Sequence, residues 1–337
     1  MKNFLWAITV AISVGLIACG GKSTNADSAT SADSAKEEVA ATDNALNITA
    51  NADSLYKFVE KQINCGPRNP GSKGHERCRH FLVESLKAYD VDTVIIQQQP
   101  VTIWNSEKHN VYNILGRINP ASKNRILLLA HYDTRPWADE DPDERFHQTP
   151  IDGANDGASG VAVLLETARC LQSASLQNLG IDLLMVDLED SGRYNDNESW
   201  CIGTQQWVEA MPYSIDDRPM YGILFDMVGG INARFNREHL SQSYAKPIVD
   251  KIWALANASG YADRFPNTIG GSIVDDHLYI NQAGIPCVDI IESANPQTES
   301  FNPTWHTVSD DLAAIDRETM RIVTQVVLNL IAREEKQ

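Results

Sequence analysis

An α/β protein of three layers, with helices on both faces of a central twisted, mostly parallel mixed sheet, is the fold class that three features of the sequence predict. Short apolar runs such as residues 125–130 and 221–225 suit strands buried on both faces. They alternate with segments of helical apolar spacing, the pattern of strand–helix–strand units. The third feature is the stretch 180–192, whose apolar run from Ile181 to Leu188 is broken only by Asp182 and Asp187 and closes on Glu189-Asp190-Ser191-Gly192. Open α/β sheets hold their ligands at the carboxyl ends of their strands, so this adjacent carboxylate pair marks a candidate cleft.

At 337 residues and 43% hydrophobic content the chain can bury one large core. A formal net charge of -17 argues against a nucleic-acid partner, whose phosphates require clustered Lys and Arg. Residues 1–18 read as an export signal, with Lys2 supplying the charge and residues 4–17 a short apolar run, too short to span a bilayer. Leu16-Ile17-Ala18-Cys19 resembles a bacterial lipobox, which implies cleavage before Cys19 and lipid attachment to it. With no Asp directly after Cys19, the resemblance implies a lipoprotein on the periplasmic side of an outer membrane. Residues 19–51, rich in Ala, Ser, Asp, Thr and Asn, lack the apolar content to order themselves and read as a tether. A single domain, 52–337, follows.

Asp53 or Ser54 is placed to cap a first helix through Leu55, Phe58 and Val59. The Gly- and Pro-rich loop 65–74 leads to a second helix through Phe81, Leu82 and Leu86. Residues 91–101, 110–118 and 125–130 read as strands, the last delivering His131-Tyr132-Asp133. The loop 136–150, with Asp139, Glu140, Asp141, Asp143 and Glu144, reads as an exposed acidic loop rather than a calcium site. Gly153-Ala-Asn-Asp-Gly-Ala-Ser-Gly160 opens a helix through Val161, Leu164 and Leu165, which puts Asp156 at a helix start. Helices over 203–210 and 244–259, a strand over 287–291 and a closing helix capped by Asp316 complete the order. After Cys19, the five cysteines Cys65, Cys78, Cys170, Cys201 and Cys287 leave at least one unpaired. Cys65 and Cys78 are closest in sequence, and spacing alone leaves open whether they bridge.

Charged side chains therefore collect at strand ends: His131 with Asp133, Glu189 with Asp190, Asp226, and Glu292 with the downstream Trp305-His306-Thr307. Together with Asp156 they form a set of oxygen and nitrogen donors suited to zinc. The ordered set resembles the zinc aminopeptidase-like superfamily, and within it the animal-type glutaminyl cyclases, from about residue 53 onward. That resemblance implies a zinc-exopeptidase-like fold and conversion of the N-terminal glutamine of peptides and exported proteins to pyroglutamate, with release of ammonia.

Position by position, the resemblance makes Asp156, Asp190 and His306 the ligands of one zinc per chain. Glu189 becomes the general acid/base, with Asp226 and Asp275 in the network that supports it. His131 lies next to the metal without a bond to it, and Trp305 and Trp200 line the substrate pocket, with Trp137 as a further wall. Two departures stand out. Asp190 replaces the glutamate ligand of the animal enzymes, and Ala130 stands where they carry a disulfide cysteine. The rival readings are a two-zinc aminopeptidase, in which His131, Asp156 and Asp226 build a second site, and a non-catalytic peptide-binding lipoprotein of the envelope. The expected working form is a monomer.

Overall fold

The computed structural model describes residues 46 and 48–337; the export-signal and lipidation assignments, Cys19 included, lie outside them. Residues 50 and 51, which the composition of 19–51 assigns to the tether, are bonded to the folded domain. Ala50 is buried and donates its N–H to Gln325 Oε1 at 3.1 Å, while Asn51 donates to Glu166 Oε1 at 2.7 Å. These long-range bonds dock a polar segment that could not order itself. Asn51, rather than Asp53 or Ser54, caps α1 (Ala52–Ile63) by accepting from the Ser54 N–H. Helix α2 (Lys73–Ala88) follows a Ser72 cap.

Strands β1 (Thr93–Thr102) and β2 (Lys108–Ile118) form an antiparallel hairpin, and β3 (Asn124–His131) is buried along almost its whole length. Helix α3 (Ala158–Leu171) then leads to β4 (Leu179–Val186), and α4 (Ile202–Glu209) to β5 (Tyr221–Phe225). The long, kinked α5 (His239–Ala258) and the short α6 (Asp276–Gln282) precede β6 (Cys287–Ile290), and α7 (Arg317–Glu334) ends the described chain. The sequence reading had no helix at α6, since seven residues are too few for a clear 3.6-residue pattern.

The sheet order is β1-β2-β4-β3-β5-β6. Pairings β3–β4, β3–β5 and β5–β6 are parallel, whereas β1–β2 and β2–β4 are antiparallel, so the sheet is mixed with a parallel core. Side chains alternate along each core strand. Ile126, Leu128, Ile181, Leu183, Ile223 and Phe225 join the larger core, with residues of α1, α2, α3, α5 and α7. Leu127, Leu129, Leu184, Val186 and Leu224 join the smaller one, with Trp207 of α4 and Ile280 of α6. The connection β3–β4 moves one way along the sheet and β4–β5 the other, with the covering helix changing face. That reversal at β3 opens a crevice beyond the strand ends, the usual ligand position in such sheets.

Helix α3 packs so closely that Gly160 is obligatory: a Cβ there would stand 2.0 Å from the Phe225 carbonyl oxygen and 3.0 Å from Ala130 Cβ. Gly160→Ala should therefore destabilise the fold by about 2 kcal/mol or more despite its better helix propensity. A urea midpoint equal to that of the wild type would contradict this.

Candidate active site

The crevice is built by strand ends and sharply turned chain. Leu188, Met227 and His306 adopt left-handed backbone (φ 53°, 48° and 53°), a region that residues with a side chain rarely occupy. Each turn lies beside a functional group: Leu188 before Glu189, Met227 after Asp226, and His306 itself. Asp133 completes the β4 corner by accepting the N–H groups of Glu189 (3.1 Å) and Asp190 (3.2 Å). Asp310 does the same for the start of α3, accepting from Asn155 (2.8 Å) and Asp156 (3.1 Å). Burial pushes the Asp310 carboxyl up to about 8.

Asp156, Asp190 and His306 converge. His306 Nε2 lies 3.1 Å from Asp190 Oδ1 and 3.7 Å from Asp156 Oδ2. Ligand atoms around a tetrahedral zinc stand about 3.3 Å apart, given bonds of about 2.0–2.1 Å. Both Asp190 carboxylate oxygens are buried without a hydrogen-bond partner. A buried carboxylate in that state needs a cation or a proton, so the donor set and its spacing fit zinc. The shorter Asp190 reaches the other two ligand groups, so the departure from glutamate leaves the triad intact.

His131 is buried, with Nε2 3.0 Å from Asp156 Oδ1 and 3.1 Å from Asp226 Oδ1 and Nδ1 3.6 Å from Asp133 Oδ1. Burial opposes its charge, but these carboxylates outweigh burial and raise its pKa well above the ordinary value. His131, Asp156 and Asp226 thus form a second donor group of metal-binding size beside the first.

A cavity of about 330 Å³ opens over both groups, lined by Asp156, Glu189, Asp190, Asp226, Asp275, Trp200, Trp305 and His306 among others. Burial drives the Glu189 carboxyl well above the glutamate range, with His131 pulling it down and Asp190 and Asp275 adding to the rise. Its Oε1 lies 3.4 Å from Cys201 Sγ. Burial likewise lifts Asp226 to about 6 and Asp275 to about 7. Trp305 stacks on the His306 ring at 3.8 Å, and Trp200 lies nearly parallel to it at 6.2 Å.

Every site residue inferred from the sequence lines this cavity except His131, which was expected in the substrate pocket but is buried against Asp156 and Asp226, and Cys19, which lies outside the described residues. Three expectations change. Trp137 is not part of the cavity wall; it packs edge-on against Trp104 and under the Arg135 guanidinium. Glu292 accepts from Asn295 and Asn302 and so braces the loop leading to Trp305. The acidic loop is not simply solvated either, because Asp141 is buried and accepts from the N–H groups of Asp143 and Val308. Sequence reasoning missed Asp310, four residues after His306, and Arg135, whose Nη1 donates to the carbonyls of Asp190 and Gly192. No local pattern marks either residue, since each acts on a segment more than fifty positions away. The described cysteines are all free thiols, Cys65 and Cys78 included.

Residues 113–331 match the model of peptidase family M28. The structure resembles that of a glutaminyl cyclase from Bacteroides thetaiotaomicron solved with N-acetylhistamine, with 42% identity and a TM-score of 0.81 over 85% of this chain and 99% of that one. It also resembles a Zn-dependent exopeptidase from Parabacteroides distasonis, with 41% identity and a TM-score of 0.80 over 84% of this chain and 98% of that one. Among curated proteins, glutaminyl-peptide cyclotransferase of Bos taurus is 24% identical over 296 residues, covering 77% of this chain and 76% of its own.

Proposed function

From the premise that the chain belongs to peptidase family M28, we propose that it is a zinc-dependent glutaminyl-peptide cyclotransferase, which closes the N-terminal glutamine of a peptide to pyroglutamate and releases ammonia. The observation that carries this reading is the cavity itself. An acid/base carboxylate, Glu189, stands beside the metal-binding carboxylate Asp190, in a pocket whose wall is formed by Trp200 and Trp305. Such a pocket favours a substrate curled upon itself over an extended chain. The 42% identical glutaminyl cyclase supports the same conclusion.

Asp156, Asp190 and His306 are the residues that would hold one zinc, which when bound supplies Lewis acidity to the glutamine γ-carbonyl. The chain's own groups do the rest. Trp200 and Trp305 hold the glutamine side chain folded back towards its own α-amine, so that attack is intramolecular and orientation supplies much of the acceleration. Glu189 takes a proton from the attacking amine and returns it to the departing ammonia. Asp275, with a carboxyl lifted to about 7, is placed to share that proton with Glu189, while Asp226 fixes His131 through its Nε2 at 3.1 Å.

The second donor group, His131, Asp156 and Asp226, keeps a two-zinc aminopeptidase as the alternative, and the similar Zn-dependent exopeptidase gives it weight. One experiment separates the two. A Gln-initiated peptide incubated with the purified protein should lose the mass of ammonia, with about one zinc bound per protein chain. Release of free amino acids with two zincs per chain would instead establish the aminopeptidase. Attachment by lipidated Cys19 to the periplasmic face of the outer membrane, with exported proteins as substrates and a monomeric working form, completes the proposal. It is supported by the lipobox-like residues 16–19 and the polar segment after them.

A further inference from the structure

The acidic loop after β3 carries a group that the reaction described above does not use. Asp139 Oδ1 lies 3.6 Å from His306 Nδ1, on the side of the imidazole opposite the metal-binding Nε2. That Nδ1 is buried and has no hydrogen-bond partner. A histidine that binds a metal through one ring nitrogen must carry its proton on the other, and an acceptor there fixes both tautomer and ring orientation.

Asp139 is itself held on three sides. Arg135 donates Nε to Oδ1 at 2.8 Å and Nη2 to Oδ2 at 2.6 Å, and the Trp137 indole donates to Oδ2 at 3.2 Å. The same guanidinium donates to the carbonyls of Asp190 and Gly192 and stands 3.6 Å from Asp190 Oδ1. It also lies 4.8 Å from the Trp200 ring. The backbone ties the loop to the same segment, through the Glu140 N–H on the His306 carbonyl.

We propose that Asp139, locked in place by Arg135, is the carboxylate that receives the Nδ1–H of His306, and that this pair positions His306 and Asp190 to bind the metal. Asp139 is thus a positioning residue, and the inference rests on His306 being a zinc ligand. In the absence of its carboxylate, His306 loses the acceptor that selects its metal-binding tautomer. Arg135 then faces Asp190 without a compensating charge.

The test is the zinc dissociation constant of the full-length protein, measured by competition with a chromophoric chelator. Asp139→Asn should weaken zinc by about 10–100-fold, while the metal-free variant, less stable for want of the buried Arg135 pair, still folds by circular dichroism. Asp143→Asn, the same charge change in the same loop on a side chain paired only with Arg145 and local backbone, should bind zinc as the wild type does. A purely structural role predicts a lower metal-free melting temperature with unchanged zinc affinity, and unchanged zinc affinity would overturn the proposal. The zinc-loaded wild type gives a reading independent of how any variant folds: the His306 Nδ1 proton should resonate far downfield and exchange slowly, and a fast-exchanging proton counts against the proposal. Should His306→Ala keep its zinc, the ligand assignment itself fails. If that variant loses zinc and Asp139→Asn does not, only the role of Asp139 falls.

Discussion

Glu189→Gln should lower kcat/KM for a Gln-initiated peptide by about 10²–10⁴-fold, with zinc content and melting temperature unchanged. The amide is close to isosteric, and it occupies a wall position beside Asp190 without being one of the three proposed ligands. It can neither accept the amine proton nor return one to ammonia. The pH dependence sharpens the test. Glu189 works as a base only when ionised, and burial raises its pKa well above the glutamate range, although a cation on the neighbouring Asp190 would pull it back down. Turnover in the wild type should therefore fall as pH drops through that raised pKa, and the residual rate of the Gln variant should lack this acid limb. A Gln variant with wild-type turnover would remove Glu189 from the mechanism.

His306→Ala should abolish stoichiometric zinc binding. Its cost should exceed the roughly 10–100-fold expected for an outer-shell group such as Asp139, because Nε2 is the only nitrogen donor of the proposed triad, 3.1 Å from Asp190. The substitution also removes the ring on which Trp305 stacks at 3.8 Å, so tryptophan fluorescence should change with it. Metal analysis after dialysis checks the first effect and circular dichroism checks that the fold survives. One zinc retained per chain would take His306 off the ligand list.

Much of this site was legible in the residues because its parts are local. Glu189-Asp190 follows an apolar run, Asp156 precedes a helical pattern and Trp305 precedes His306, and each pairing is a matter of neighbouring positions. The strand boundaries moved by only a few residues, since burial on both faces leaves an unbroken apolar run wherever the strand lies. The acidic loop was misread for a related reason. A count of charges cannot distinguish Asp143, which pairs with exposed Arg145, from Asp139 and Asp141, which turn inward to serve the His306 segment.

The sequence by itself determined the order of the strands and of every helix but the short α6, and the type of chemistry at the strand ends, because apolar periodicity and adjacency are local properties. The tertiary structure alone decided what holds those carboxylates and histidines in place. Asp133 reaches the N–H groups of Glu189 and Asp190, Asp310 reaches that of Asp156, and Asp139 reaches His306, all across long stretches of chain. Those meetings depend on the sheet order β4-β3-β5 and on the left-handed turns that aim the side chains into one crevice. Neither is encoded in spacing along the chain, since both arise only when buried strands choose their neighbours.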